Sequence, residues 1–549
     1  MEAMTFKKFK FDIDSKKIMD ESSKENYSPS IEILNDDCLI CIFKLLPVAD
    51  RIKFERVSKR WREIGQESWR DLKVLDINQK FLGLKIFGKR HQYPEITAQV
   101  VEGILKRCGR YVVKINLKYL EFDCVGLVAE YCRNIQSIVC EQVEIKSLKK
   151  LSYNCNNINE LHMFTVTNDY FETNLRDAMS KLFSNNKKFR FYKIDYCCDD
   201  GECLLQLPLH EMEEIKLGGR PTYLINLVKV IDELKNLRHF ESKNLDECVL
   251  KSLAFNCSYL SVLKLGYCDR INKLDELLAP VFYKNKQLKI LGLGNSVTLT
   301  GQCFLSLDKN TVEEIILIQV HNLERDYLIN SFPNFVNLHT LEFDCLLGGN
   351  GAHIAECVNL CGNLKKLTLD SMKCYTAENF WDSLHGLKEL EMLSVNYAKK
   401  GTLTTSFLDY ISCNLPKLKY LDISGPGYVT DSHLQYLSNL TKLEVLKIQS
   451  CIYITGSEIG CFPNLKELCC RNCFDLEDDC LIRLLRCASK LELLDIVGCK
   501  KVTNSVLNVA IEETKKRTNK IVLKIMHEHD HINFDEIVDT SPLLHLVIS

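Results

Sequence analysis

Apolar residues return along the chain in the pattern L-x-x-L-x-L, with other apolar residues in some of the leucine positions. In "LSVLKLGYCDRI" the pattern is formed by Leu260, Leu263 and Leu265. The closing alternation predicts a short strand, because every second residue of a strand faces the same side. Seventeen such units follow one register, and their last apolar positions are Leu117, Cys140, Met163, Ile194, Leu217, Ser242, Leu265, Leu293, Leu317, Phe343, Leu369, Val395, Ile423, Ile448, Cys470, Ile496 and Ile525.

The second half of each unit has helical spacing. In "LKYLDISGPGYVTDSHLQYLSNLTKLEVLKI" a strand around Leu421 leads to a Gly/Pro turn, and Leu434 and Leu437 follow behind Thr430, a candidate helix cap. The mean step of about 25 residues lies within the roughly 20 to 29 residues of leucine-rich repeats. One unit cannot cover its own apolar face, so units are expected to stack. The pattern predicts an α/β leucine-rich-repeat horseshoe solenoid of about 17 strand-helix units.

Some units match weakly. Cys140, Ser242 and Cys470 stand where a large apolar residue is expected, and the step from Met163 to Ile194 is 31 residues. The long step predicts an insertion or a degenerate unit at that place.

The chain has 27 cysteines among 549 residues, and thirteen of them fall at two fixed positions of the repeat. We expect these residues to be reduced and to pack in the core, with disulfide or metal binding as the alternatives. This periodicity with cysteine resembles the cysteine-containing subclass of leucine-rich repeats. The row after the strand is Cys197, Cys268, Cys451, Cys473 and Cys499, and the row before it is Cys108, Cys132, Cys155, Cys257, Cys361, Cys413, Cys461 and Cys487.

A different pattern precedes the repeats, in "IEILNDDCLICIFKLLPVADRIKFERVSKRWREIGQESW" at residues 31–69. Leu39, Ile42, Phe43 and Leu46 have the i, i+3, i+4, i+7 spacing of an amphipathic helix. Asn35 or Asp36 can cap this helix, and Pro47 can end it. The spacing predicts three short helices around a small core, which would gain stability by packing on a partner.

This segment resembles the F-box motif, through Leu34, "CLICIFKLL", Asp50 and "RVSKRWRE". It departs from the motif at Asn35, where proline is usual, and asparagine there can cap the first helix. The resemblance implies docking on the Skp-family adaptor of cullin-based ubiquitin ligases, whereas an isolated three-helix bundle would have the same apolar spacing. The adaptor-binding residues that it implies are Leu34, Leu39, Ile42, Phe43, Leu46, Val57 and Trp61.

Together the two patterns resemble the F-box/leucine-rich-repeat family of substrate receptors in Skp–cullin–F-box ubiquitin ligases. The resemblance implies a non-catalytic subunit that binds the adaptor and the cullin scaffold on one side and a protein substrate for ubiquitination and proteasomal degradation on the other. The domains predicted are a disordered tail at 1–30, the F-box at 31–70, a connector at 71–111 with a possible first strand in "LKVLDI", repeats at 112–530 and a C-terminal tail at 531–549.

Composition excludes several other classes of function. The net charge is -2, which does not favour nucleic acid or an anionic membrane, and no apolar stretch is long enough to span a bilayer. No phosphate-binding loop, nucleophile elbow or H-E-x-x-H pair is present. "YCCDDGEC", "LCCRNC" and "HEHDH" resemble metal sites only loosely. We expect no enzyme activity, no cofactor and no metal, and a cytoplasmic location, with the nucleus as an alternative.

The strand positions between the buried leucines predict where a substrate would bind. They face the concave solvent side of the sheet, and apolar residues there mark a binding surface when they are contiguous. A scaffold outside a ligase and an activator of a small GTPase are the alternative functions. The predicted substrate-binding residues are Phe164, Phe191, Ile290, Ile316, Ile318, Met392 and Tyr420.

Overall fold

The structure is a computed structural model that describes most of the repeat region and the segment before it. The predicted tail at 1–30 lies outside the described residues. The described residues are 31–77, 96–120, 122–167, 172–197, 201–219, 224–344, 351–371, 386–396, 405–425, 429–528 and 541–548.

Three short helices form an N-terminal helical module, as the apolar spacing predicts. The Asn35 side chain caps the first helix by accepting a hydrogen bond from the backbone N–H of Cys38 at 2.9 Å, and Ser58 caps the third in the same way. Pro47 stands between the first two helices, where it interrupts the helical path. The helices are α1 (Asp36–Leu45), α2 (Val48–Phe54) and α3 (Lys59–Ser68).

A single parallel sheet of nineteen strands follows in the described part of the chain. Each strand pairs with the next strand in the sequence, from β1 to β19, which confirms the α/β solenoid. The strands β1 to β19 are Val74–Asp76, Lys114–Leu117, Ser137–Glu144, Glu160–Thr167, Phe191–Cys197, Glu214–Gly219, His239–Asn244, Val262–Tyr267, Ile290–Ser296, Glu314–Val320, Thr340–Asp344, Lys366–Asp370, Met392–Ser394, Tyr420–Asp422, Val445–Lys447, Glu467–Cys469, Leu493–Asp495, Leu523–His527 and Leu544–Ile548.

Helices connect many of the strands and pack against the helices of neighbouring repeats. They cover one face of the sheet, and we call the other face the open sheet face. Thr430 caps its helix, as its position predicts. The helices α4 to α16 are Ala98–Cys108, Val125–Tyr131, Ile145–Asn154, Glu172–Asn185, Leu224–Glu233, Glu247–Asn256, Leu274–Lys284, Arg325–Ser331, Gly351–Leu360, Thr405–Asn414, Asp431–Leu434, Asp478–Cys487 and Asn504–Lys516.

The strand register agrees with the repeat frame. Leu291 and Leu293 are buried, whereas Ile290 beside them is half-buried. The weak matches Cys140, Ser242 and Cys470 are also buried in their strands or directly after them. Small or polar residues therefore fill core positions in these units without breaking the sheet.

The possible first strand in "LKVLDI" is present: β1 lies within the predicted connector at 71–111 and pairs with β2. The predicted count and the boundary at the C-terminal end need correction. The predicted tail at 531–549 contains β19, which pairs with β18. Ile525 pairs with Leu494, so the counterpart of Ile496 is His527 and not Ile525. His527 is buried at this core position, and its polar side chain hid the unit's true register.

The long step between Met163 and Ile194 contains the fourteen-residue helix α7. The strands on either side of it, β4 and β5, pair directly. The insertion predicted there is therefore accommodated in the helix layer and leaves the sheet continuous.

The cysteine row after the strands lies in the core. Cys268, Cys451, Cys473 and Cys499 are buried, and the Cys473 thiol donates to the carbonyl of Ile448 in the preceding repeat at 2.9 Å. Burial raises the pKa of the Cys268 thiol to about 12. The side chain of Cys197 lies outside the described residues. These four cysteines therefore act as small core residues, and the thiols of Cys451, Cys473 and Cys499 also reach a carbonyl of the preceding repeat.

In the cysteine row before the strands, some thiols contact the preceding repeat and others, such as Cys108 and Cys361, bond within their own helix. The Cys155 and Cys257 thiols each lie 3.8 Å from a carbonyl oxygen of the preceding repeat. At the equivalent place Asn285 donates to the carbonyl of Cys257 at 3.0 Å and accepts from the N–H of Leu260. Buried in this row are Cys108, Cys132, Cys155, Cys257 and Cys361, whereas Cys413 is exposed.

The expectation that all cysteines are reduced is wrong at one pair. Cys461 and Cys487 form a disulfide. They occupy the same row in consecutive repeats, and their Cα atoms are 5.9 Å apart, within the range that a disulfide spans. Stacking alone brings such positions together, which the spacing along the chain does not reveal.

The burial of the thiols predicts which cysteines react in the folded protein. We expect a thiol reagent under native conditions to label Cys38, Cys41, Cys248 and Cys413, which are exposed. Buried thiols such as Cys268 are protected, because they lack access to the reagent and burial disfavours the reactive thiolate. Peptide mapping by mass spectrometry before and after denaturation measures this, and rapid native labelling of Cys268 would contradict the described packing.

The register predicts opposite results for two neighbouring substitutions. Leu293→Ser should lower the free energy of unfolding by roughly 2 to 5 kcal/mol, because it removes a buried side chain from the repeat core. Ile318→Ser should change it by no more than about 0.5 kcal/mol, because that side chain is on the open sheet face. Thermal melting of the two variants compares them, and equal destabilisation would mean that the repeat frame is misplaced.

Candidate functional site

The helical module is held together by a small aromatic core. Leu39, Phe43 and Trp61 are buried there with Ile64. The ring centroids of Phe43 and Trp61 are 5.4 Å apart in an edge-to-face arrangement. Three of the seven residues predicted to bind an adaptor thus pack inside the module. Their direct role in the free chain is to hold its helices together.

The exposed face of the module carries the remaining candidates. Ile42 and Val57 are exposed, and Leu34 and Leu46 are half-buried. Three further apolar side chains lie exposed on the module and are absent from the predicted set: Ile31, Ile33 and Leu45, the last with 86% of its surface accessible. We call Ile31, Ile33, Ile42, Leu45 and Val57 the apolar module face.

A positional signal could have identified Leu45. It follows Ile42 by three residues on α1, so the two share a side of the helix that differs from the buried stripe of Leu39 and Phe43. An apolar residue outside the core stripe indicates a contact surface. Leu45 lies outside the core stripe and is therefore absent from the predicted adaptor-binding residues.

The module is fixed directly to the first repeats. Trp69, which directly follows α3, is fully buried in the repeat core together with Val48. Its indole N–H donates to the Glu55 carboxylate at 2.7 Å, and Arg107 on α4 donates to the other oxygen of that carboxylate at 2.8 Å. Because Glu55 is itself buried, these bonds replace the water that its charge has lost.

The open sheet face carries all seven predicted substrate-binding residues in half-buried or exposed positions. Strand pairing arranges most of them in rows across the sheet. Phe191, Ile290, Met392 and Tyr420 stand in the first outward row, in register with one another through the intervening strands.

The seven residues do not form one continuous patch. Ile290, Ile316 and Ile318 lie together on β9 and β10. Met392 and Tyr420 pair across β13 and β14. Phe191 is on β5, four strands from β9 and so about 19 Å away at the usual strand spacing. Phe164, between the ladder positions of β4, stacks on His162 with ring centroids 4.6 Å apart.

A network of charged side chains occupies the open sheet face between β4 and β8. Burial lowers the pKa of His239, but hydrogen bonds to Glu214 and Glu241 outweigh burial and raise it. Lys216 lies 2.9 Å from Asp195 on the preceding strand. Most charges in this part of the sheet are thus already matched by neighbours.

Carboxylates predominate on β11 to β14. Burial raises the pKa of Glu342, and the nearby Asp370 and Asp344 add to this effect. Burial likewise raises the pKa of Asp370, with Asp422 contributing. Repeat spacing alone does not reveal this acidic stretch, because its members come from different repeats and meet only when the strands stack.

The motifs "YCCDDGEC", "LCCRNC" and "HEHDH", which loosely resemble metal sites, lie partly within the described residues. Within those residues, no group of three or more His, Cys, Asp or Glu side chains is placed to hold a metal ion. Cys469, Cys470 and Cys473 are free and buried. Residues 198–200, 529 and 531 of the other two motifs lie outside the described part. No helix in the described part is both long and apolar enough to cross a bilayer.

Comparison with protein families identifies the helical module. The model of the F-box domain matches residues 31–71. A curated protein from Caenorhabditis elegans, the putative RNA-binding protein EEED8.10, is 22% identical over 413 residues, covering 73% of this chain and 50% of its own length. This chain therefore corresponds to about half of that relative.

Solved structures with some likeness are repeat proteins of low identity. Chains from the TLR13–ssRNA13 complex and the yeast Rad7–Elc1 complex are each 15% identical, with TM-scores of 0.38 and 0.39. The TLR13 match covers 81% of this chain and 65% of the TLR13 chain. The match in the Rad7–Elc1 complex covers 79% of this chain and 92% of that chain. An internalin from Listeria monocytogenes is also 15% identical, with a TM-score of 0.36, over 63% of this chain and 88% of its own.

The family match and the strand order together describe how the chain is organised. The helical module at residues 31–71 is an F-box domain. The chain thus carries an F-box domain at residues 31–71, followed by an α/β solenoid of repeats.

Proposed function

We propose that this chain is the substrate-recognition subunit of a Skp–cullin–F-box ubiquitin ligase. The observation that carries the proposal is an F-box domain with an exposed apolar face, joined firmly to a long repeat surface. The apolar module face docks on a Skp-family adaptor, which links the chain to a cullin scaffold. The open sheet face holds a protein substrate.

The chain itself contributes position rather than chemistry in this proposal. A separately recruited conjugating enzyme transfers ubiquitin to a lysine of the substrate, which is then degraded by the proteasome. The buried junction of Trp69, Glu55 and Arg107 supports this role, because it keeps the adaptor-binding and substrate-binding surfaces in one fixed relation. Such a receptor acts in the cytoplasm or the nucleus.

A non-catalytic scaffold outside a ligase is the second candidate. One observation favours it: Leu39, Phe43 and Trp61 form the module's own core, and Trp69 joins that module to the edge of the repeats. The module could then serve only to cover the first strand. Adaptor binding distinguishes the two functions.

The adaptor is expected to contact the outer apolar side chains. Ile42→Ser combined with Leu45→Ser in the full chain should lower the affinity for a purified Skp-family adaptor at least about tenfold, because central apolar contacts dominate binding energy. Both side chains are exposed, so each change should alter the unfolding free energy by no more than about 0.5 kcal/mol. Calorimetric titration and melting curves measure the two effects.

Two further variants serve as controls for adaptor binding. Leu360→Ser removes an exposed leucine from α12 in the repeats and should leave adaptor affinity unchanged. Phe43→Ala should lower the unfolding free energy by about 3 to 5 kcal/mol through the module core. Wild-type affinity in the Ile42/Leu45 variant would show that the adaptor does not dock on the apolar module face and would favour the scaffold.

Substrate binding is expected to depend on the central isoleucines of the open sheet face. Ile316→Ser with Ile318→Ser should leave the adaptor affinity unchanged and reduce the capture of specific cellular proteins that accumulate when the proteasome is inhibited. Quantitative mass spectrometry of proteins bound to the two forms measures this. An identical set of captured proteins would place substrate binding elsewhere on the solenoid.

A further inference from the structure

A cleft lies at the junction between the F-box domain and the first repeats. Its walls come from α3, α4 and α5 and the turns beside them, and its volume is about 1070 Å³. This is slightly above the roughly 300 to 1,000 Å³ that is typical of small-molecule sites. The cleft is distinct from the apolar module face and from the open sheet face.

Cationic side chains dominate this junction cleft. Two lining carboxylates, Glu55 and Glu130, face six cations along the cleft in the described residues. The cations come from the F-box domain and from the first two repeats, so the charge arises only when these parts pack together. The six are Arg56, Arg62, Lys106, Arg107, Arg110 and Arg133.

Two of these cations already have partners. Arg107 binds Glu55, which also accepts the indole N–H of Trp69. Lys106 lies 2.7 Å from Glu102 on the same helix. These two cations are therefore largely neutralised by the protein itself.

The other four cations are unmatched by carboxylates. Within the described residues, Arg56, Arg62, Arg110 and Arg133 form no ion pair. Arg62 donates to the backbone carbonyl of Glu55 at 3.3 Å, and the Arg110 guanidinium lies 4.7 Å from the ring centroid of Tyr111. Four guanidinium groups thus converge on one cleft while keeping donors available.

This arrangement differs from the charge pattern in the rest of the solenoid. There, lysines at the strand starts pair with glutamates of the adjacent repeat, as Lys289 does with Glu313 at 2.7 Å and Lys466 with Glu444 at 2.7 Å. Matched pairs of this kind leave little net charge. An unmatched group of four arginines has a self-repulsion that a bound anion would relieve.

We propose that the junction cleft binds an anion with two or more closely spaced phosphate groups. Guanidinium groups present forked donors that match phosphate oxygens in pairs, and arginine keeps its charge at every physiological pH. Four of them can contact several phosphates at once, whereas a single phosphate would leave most donors unused. Because the arginines come from both sides of the junction, the bound ligand braces the F-box domain against the repeats.

The proposal is independent of adaptor docking and can be tested with the full chain alone. The probe is inorganic tripolyphosphate, titrated calorimetrically against wild type and against Arg62→Gln with Arg133→Gln. The matched control is Arg270→Gln with Arg486→Gln, which removes the same charge from two exposed sites away from the cleft. Inorganic phosphate and a single-stranded oligonucleotide are titrated in parallel, and melting curves without ligand report folding.

We expect tripolyphosphate to bind wild type at one site and at least about tenfold more tightly than inorganic phosphate. Its affinity should fall at least tenfold in the Arg62/Arg133 variant and less than twofold in the control. Equal losses in both variants, or equal affinity for phosphate, would overturn the proposal, as would binding of the oligonucleotide without tripolyphosphate binding. If the Arg62/Arg133 variant melts early, Arg56→Gln with Arg110→Gln replaces it, with the same expected loss.

Discussion

Every repeat of this protein depends on its neighbour to cover its apolar face. The core is continuous from Val48 and Trp69 in the F-box domain to Ile525 near the last repeats. Hydrophobic burial supplies most of the driving force in such a structure, and in a solenoid it acts between adjacent units only. The parallel sheet, the helix layer and both candidate binding surfaces follow from that stacking.

Polar side chains also join adjacent repeats and give the stacking its exact register. The Asn134 amide donates to the carbonyl of Arg110 at 2.9 Å, and Asn464 donates to that of Thr441 at 2.8 Å. Asp275 accepts from the N–H groups of Gly301 and Cys303 in the next repeat. The two N–H groups that Asp275 accepts from are buried and would otherwise lack a partner, whereas the bonds of Asn134 and Asn464 lie at exposed positions. Burial therefore drives the stacking, and these bonds select one alignment.

The fold was largely predictable from the sequence because its signal is repeated. Strand positions such as Leu291 and Leu293 follow one period, and the Asn35 cap is a local feature. The misses have physical causes. His527 fills a core position with a polar residue, and the Cys461–Cys487 pair and the carboxylates around Glu342 meet only through stacking. Leu45 was missed because helical spacing identifies a core stripe more readily than an outer contact.

The junction at Trp69 has a consequence for how this architecture can be recombined. A boundary drawn at residue 71 passes through a continuous core, because Trp69 of the F-box domain packs its indole into the core of the repeats, and Arg107 of the repeats binds Glu55 of the F-box domain. Exchanging the domain for that of another protein would leave Arg107 facing an unsuitable surface. The transferable unit is therefore the F-box domain together with β1 and α4, because these elements share one core and the hydrogen bonds of Glu55.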